Sequence, residues 1–259
     1  MSLYLRISEH DFCIAKYELR EEPIFHFARH KLRPQVSFTV NLREAQDTQP
    51  LLQDIKGSMN IVVCGPTMLV PLAEFQEEDC AELYGFCFPT DKKVCVFYDI
   101  IQASNAVLLF GLDQMICDKL RESFGDVRFI SAQTAVLRHF SVKGASQSGK
   151  RIFLYKNELG LDVAVFEENR LLLSNSYPAH TNSDIAYYTF NVARNLGVDL
   201  SETPIYVAGD TSGRNEVVEE LKRFSTEVFA INPAGEFNRH IVTQQDNVPY
   251  DLQTLLLEM

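Results

Sequence analysis

The spacing of apolar residues switches between the two-residue period of a strand and the longer period of a helix, and the switches occur twice in the same order. Residues 3–8 (Leu-Tyr-Leu-Arg-Ile-Ser) predict a strand, Glu9-His10-Asp11 a tight polar turn, and residues 12–18 the second arm of a hairpin. Glu21-Glu22-Pro23 punctuates, and residues 24–30 predict a third strand. Leu42, Ala45, Leu51, Leu52 and Ile55 then fall at helical spacing over 42–55, with a break at Pro50 and an end at Gly57-Ser58. Residues 60–64 form a short buried strand. After a middle segment, the second half runs through strands at 151–156, 161–167 and 170–177 and a helix at 185–196. Ser183-Asp184 offers that helix an N-cap, and Gly197 closes it. A strand at 205–208, a helix at 216–224, a strand at 228–231 and a closing helix at 250–257 complete it.

Two short segments mark the repeat. Asn60-Ile-Val-Val-Cys-Gly-Pro-Thr67 and Pro204-Ile-Tyr-Val-Ala-Gly-Asp-Thr211 each run from an apolar strand through a glycine turn into a stretch expected to be helical. The middle segment predicts strands at 93–99 and 106–110, a helix at 113–124 stopped by Gly125, a strand at 127–130 and a helix at 132–140. Gly144-Ala-Ser-Gln-Ser-Gly149 is small, polar and linker-like. The expected organisation is therefore α/β, with two copies of one unit. The first spans 1–143, with an inserted subdomain at about 86–140, and the second spans 151–259.

Three antiparallel strands, a helix, a strand, a helix and a strand, stated twice, resemble the duplicated ribonuclease-H-like architecture of the actin, Hsp70 and sugar-kinase ATPase fold. The middle segment resembles the small inserted subdomain of PilM and of the cytoplasmic part of GspL. Thr67-Met-Leu-Val-Pro71, Leu83-Tyr-Gly-Phe86 and Tyr187-Tyr-Thr-Phe-Asn191 resemble a bacterial domain-of-unknown-function family with this fold. Active members of the superfamily open each half with a strand ending Asp-x-Gly, whose carboxylates position magnesium while the glycine turns approach nucleotide phosphate. The resemblance places Arg6 where the first Asp would stand and Ser8 where the Gly would stand. Tyr155 or Lys156 falls at the second Asp. Phosphoryl transfer rests on positioning and charge neutralisation, and both fail without the metal.

The expected protein is thus a catalytically degenerate actin-like ATPase-fold module that binds a protein or peptide partner or acts as a scaffold, with no catalytic residues and no resident cofactor or metal. The alternative is a switch or ATPase/kinase with a rearranged phosphate site, binding ATP or ADP through Arg6, Ser8, Lys156, Asn157, Gly209 and Asp210. In this alternative Gly209-Asp210 resembles the adenosine-contact turn, with Ala208 replacing one glycine. The structural reading makes it a strand-to-helix turn, with Asp210, Thr211 or Ser212 as the helix cap. Gly65 in the first copy favours the structural reading.

Other motifs carry less. Gly144-Ala-Ser-Gln-Ser-Gly-Lys150 has P-loop spacing, but Arg151 replaces the metal-binding hydroxyl and the order is helix to strand. His26 and His30 share a strand face without further ligands, and His10 and Asp11 are read as ordinary turn residues. The six cysteines form no Cys-x-x-Cys pair and read as mostly buried free thiols. A net charge of −11 argues against nucleic acid and anionic membrane surfaces. No apolar run is long enough for a span, and Met1-Ser-Leu-Tyr-Leu-Arg-Ile lacks a leader pattern, so a cytoplasmic protein without membrane insertion is expected. A homo-oligomer stays open.

Overall fold

The computed structural model describes residues 2–53, 55, 57–144 and 148–257. Residues 145–147 lie outside them, and so do the linker and P-loop readings that rest on those residues. The chain begins with β1 (Ser2–Ile7), β2 (Asp11–Glu18), β3 (Ile24–Lys31), α1 (Phe38–Thr48) and β4 (Met59–Val63). Next come β5 (Thr67–Pro71), α2 (Cys80–Cys87), β6 (Val94–Ile101), β7 (Ala106–Asp113), α3 (Gln114–Phe124), β8 (Val127–Ser131) and α4 (Ala132–Gly144). The second half has β9 (Lys150–Asn157), β10 (Gly160–Glu167), β11 (Arg170–Tyr177), α5 (Asn182–Asn195), β12 (Ile205–Ala208), α6 (Thr211–Leu221) and β13 (Val228–Ala230). Three short helices follow: α7 (Pro233–Glu236), α8 (Ile241–Gln244) and α9 (Tyr250–Leu257).

The repeat is real at the level of hydrogen bonding. One five-stranded sheet has the order β3-β2-β1-β4-β8 and the other β11-β10-β9-β12-β13, the same order element by element. In each, the first strand pairs antiparallel with its hairpin partner and parallel with the strand after the helix. This is the ribonuclease-H-like duplication expected from the sequence.

The insertion differs from its expected span of about 86–140. A separate sheet, β5-β7-β6, begins at Thr67, and β8 pairs with β4 as the outer strand of the first sheet. The stretch after Gly65, expected to be helical, is therefore β5. The helix that matches α6 is α3, displaced by the insert. Alternation in Thr67–Pro71 is brief and ends in proline, so the sequence gives it little strand signal. Three helix starts also shift. Ser37 caps α1, accepting from the Val40 amide, and the helix stops at Thr48 because Pro50 opens a 3-10 turn. Thr181 rather than Ser183 caps α5, in a reciprocal capping box with Asp184. The helix expected at 216–224 is α6, which begins at Thr211.

Side-chain alternation then decides which faces meet. In β1, Leu3, Leu5 and Ile7 pack with α1 and α3, while Tyr4 faces the opposite way, toward Leu252, Leu255 and Leu256 of α9. The last helix therefore crosses back to complete the first sheet, although the sequence placed it in the unit 151–259. In β9, Ile152 and Leu154 pack with α5 and α6, while Phe153 and Tyr155 face α4 and α9. One buried apolar cluster consequently runs from Leu5 and Phe12 through Phe110 and Phe140 to Phe153 and Phe166. Phe153 stacks on Phe140 of α4 with ring centroids 4.8 Å apart. Phe153→Ala is expected to cost about 3–5 kcal/mol, read as a lowered midpoint of urea unfolding. A loss below about 1 kcal/mol would show that the junction core can be emptied without consequence.

Candidate functional site

Strand alternation points Arg6 into the space between the two sheets, where it is 2% exposed. Its Nε donates to Asp251 Oδ1 at 2.8 Å and Oδ2 at 3.1 Å, and its Nη2 donates to Oδ2 at 2.9 Å. Asp251 stands near the start of α9 and is 1% exposed. From β9, the Tyr155 hydroxyl donates to the same Oδ2 at 3.0 Å. Glu158 lies 3.0 Å from Arg6 Nη2, and Asp11 lies 3.8 Å from Nη1. Arg6, and Tyr155 as one of the two residues the resemblance allows at the second Asp position, are thus both tied to one carboxylate from α9.

Burial works most strongly against the Arg6 charge, but the charge and hydrogen bonds of Asp251, together with the other polar groups around the guanidinium, outweigh it and the pKa is raised. Burial, and then the Asp251 charge, pushes the Tyr155 phenol well above its ordinary value, so it stays a donor. Burial likewise holds the nearby Cys64 thiol well above its usual range. A desolvated guanidinium is tolerable only with paired, charge-assisted hydrogen bonds, which Asp251 supplies.

Beside this lock opens a cleft of about 880 Å³. Arg6, Lys156, Asn157, Gly209 and Asp210 line it, so five of the six candidate residues are brought together; Ser8 is not among the lining residues. Ser8 instead closes the first hairpin, its Oγ accepting from the amides of His10 and Asp11. Asn157 does similar work in the second hairpin, accepting from the Leu159 amide at 2.8 Å and donating to Asp162 at 2.8 Å. Lys156 Nζ reaches Asn182 Oδ1 at 3.5 Å. Gly209 has φ +136°, and a Cβ there would stand 2.7 Å from the Lys156 carbonyl oxygen, so only glycine lets this turn cross the end of β9. Gly65 is not its equivalent, because a Cβ there would meet nothing closer than 3.8 Å. Asp210 caps α6 by accepting from the Gly213 amide at 2.9 Å.

Several residues take other roles than their sequence suggested. Asp11 is no ordinary turn residue: it is 8% exposed and accepts from Arg29 Nε at 2.6 Å. Asp251 was missed altogether, and so were Arg29, Lys31 and Arg214, which also line the cleft. His30 stacks on Phe12, with centroids 6.3 Å apart. Among the described residues no group of three or more His, Cys, Asp or Glu could hold a metal ion. Cys13, Cys80 and Cys117 are buried, whereas Cys87 is exposed. Among the described residues no helix is long and apolar enough to cross a membrane.

The sequence model of a family described as "Protein of unknown function (DUF3822)" matches residues 1–228. The chain belongs to this family. A crystal structure of a Bacteroides thetaiotaomicron protein with actin-like ATPase fold and unknown function is 25% identical to it. That match covers 98% of this chain and 95% of the other, with a TM-score of 0.83. The PilM-PilN type IV pilus biogenesis complex matches at 13% identity, 99% and 97% coverage and a TM-score of 0.61, a likeness of fold alone. No curated protein matches the sequence. The DUF3822 chain therefore has the actin-like ATPase fold that its repeat implied.

Asp251→Ala in this DUF3822 protein strands the Arg6 charge and is expected to cost about 3–5 kcal/mol in urea unfolding. The double variant Arg6→Met with Asp251→Leu should lose less than the single one; an equal or larger loss would show that the pair itself, not the orphaned charge, supplies the stability. A second expectation concerns Asp162, whose carboxyl is raised by burial from 3.8 to about 7. Between about pH 4 and about pH 7 the folded chain holds a proton that the unfolded chain loses, so this group's contribution falls as pH rises. Asp162→Asn should flatten that part of a plot of melting temperature against pH, and an unchanged slope would refute the assignment.

Proposed function

We propose that this protein is a non-hydrolysing actin-like module whose ligand is another protein. The observation that carries the reading is the Arg6–Asp251–Tyr155 lock. A guanidinium and a phenol that stays protonated do not fit a magnesium site, which needs anionic or neutral oxygen ligands. The carboxylate beside them is engaged by three hydrogen bonds from Arg6 and one from Tyr155. Without the metal, phosphoryl transfer lacks a principal source of the positioning and charge neutralisation it requires. The partner class is suggested by PilM, a protein of this fold found in a complex with PilN.

The cleft favours a second reading. Arg29, Lys31, Lys156 and Arg214 line it alongside Gly209, in a protein whose net charge is −11. This is the setting for a nucleotide held without hydrolysis.

Thermal unfolding separates the two. Ligand at about 100 times its dissociation constant should add about 2.7 kcal/mol to stability. We expect no shift with millimolar ATP or ADP, with or without magnesium, and no phosphate release. A nucleotide-dependent shift that disappears in Lys156→Ala would overturn the proposed function and support the second reading.

A further inference from the structure

The insert carries a helix with two apolar faces, only one of which is covered. On the inner face of α2, Cys80 and Tyr84 are buried against Val70, Val107 and Leu109 of the small sheet, and the Tyr84 hydroxyl donates to the Pro66 carbonyl at 3.1 Å. On the outer side, Leu83 is 39% exposed and Phe86 is 87% exposed, three residues apart and therefore on one face. Cys87 beside them is exposed, and a Cβ built on Gly85 would have no atom within 4 Å. A surface helix ordinarily turns polar side chains outward, so an apolar outer face calls for cover. Among the described residues Phe86 is also the most exposed large hydrophobic, and large exposed aromatics are the usual anchors of protein interfaces.

The charge around this face indicates what covers it. Glu77, Glu78 and Asp79 form the turn leading into α2, and Glu82 lies in its first turn; all four are exposed. No ion pair joins any of them to a described residue, and Glu77 takes a hydrogen bond from the Tyr98 hydroxyl. The helix dipole accounts for acids at this end, but not for a bare phenylalanine one turn further on. We propose that the outer face of α2 docks a basic amphipathic helix of a protein partner, with apolar side chains against Leu83 and Phe86 and Lys or Arg opposite the four carboxylates. This rests on the reading of the chain as a protein-binding module and assigns that role to the insert rather than to the cleft.

The test uses the full chain and a synthetic amphipathic peptide of Leu and Lys, with its Leu and Glu counterpart as control, followed by backbone amide shifts. The Leu/Lys peptide should perturb α2 amides, bind more weakly as salt rises, and bind roughly tenfold or more weakly to Phe86→Ser, which leaves the charge unchanged. Glu78→Lys with Glu82→Lys should weaken it further. Phe86 is exposed, so the melting temperature should stay near that of the parent chain. Equal binding to Phe86→Ser, equal binding of the Leu/Glu peptide, or a dimer of the chain that Phe86→Ser dissociates would each overturn the proposal. These outcomes are separate from the nucleotide assay: a nucleotide-dependent shift refutes the proposed function, whereas failure of the Phe86 arm alone removes only this surface.

Discussion

A single buried ion pair holds the two ends of the sequence together, and the interlobe region is organised around it. Arg6 and Asp251 are separated by 245 positions and joined by two-pronged hydrogen bonding. In a low-dielectric setting neither partner is tolerable alone, so the geometry that joins them is strongly enforced. That geometry requires β1 to present its even-numbered side chains to the space between the sheets. It also requires α9 to return across α4 to the first sheet. Tyr155 adds the second lobe to the same carboxylate, so three elements from both halves share one polar centre.

The shape does not depend on the chemistry of the groups at the strand ends. Strand order, hairpins and crossover helices are set by apolar periodicity, which the polar side chains of Arg6 and Tyr155 do not interrupt. Beside the cleft stand a guanidinium, a carboxylate and a phenol. A buried cation answered by an internal acid is satisfied within the chain. These groups tie the lobes to each other.

Much of the fold was legible because it depends on local pattern. The hairpins at Glu9-His10-Asp11 and Asn157-Glu-Leu-Gly160, the helix ends at Gly125 and Gly197, and the strand-to-helix turn at Gly209 all carry their signal within a few residues. The insert was less legible. Thr67–Pro71 is a five-residue strand whose partner lies far along the chain, at Ala106–Asp113. Arg6 and the residues around Lys156 could be singled out because both strands begin their halves. Asp251 could not be paired with Arg6, since nothing local to Tyr250-Asp-Leu-Gln-Thr-Leu-Leu-Leu257 says which sheet this helix meets. The one available hint was a carboxylate beside an apolar stripe, and an acid near a helix start has an ordinary explanation in the dipole.

The return of α9 to the first sheet has a bearing on biosynthesis. Leu252, Leu255 and Leu256 cover Tyr4, Cys13 and Val62, yet they emerge only after both sheets have been translated. The opening lobe therefore waits, with one apolar side uncovered and Arg6 without Asp251, while the other lobe is made. Assembly of this molecule cannot proceed strictly lobe by lobe from the amino end, and the nascent first lobe is the stage most in need of shelter from aggregation.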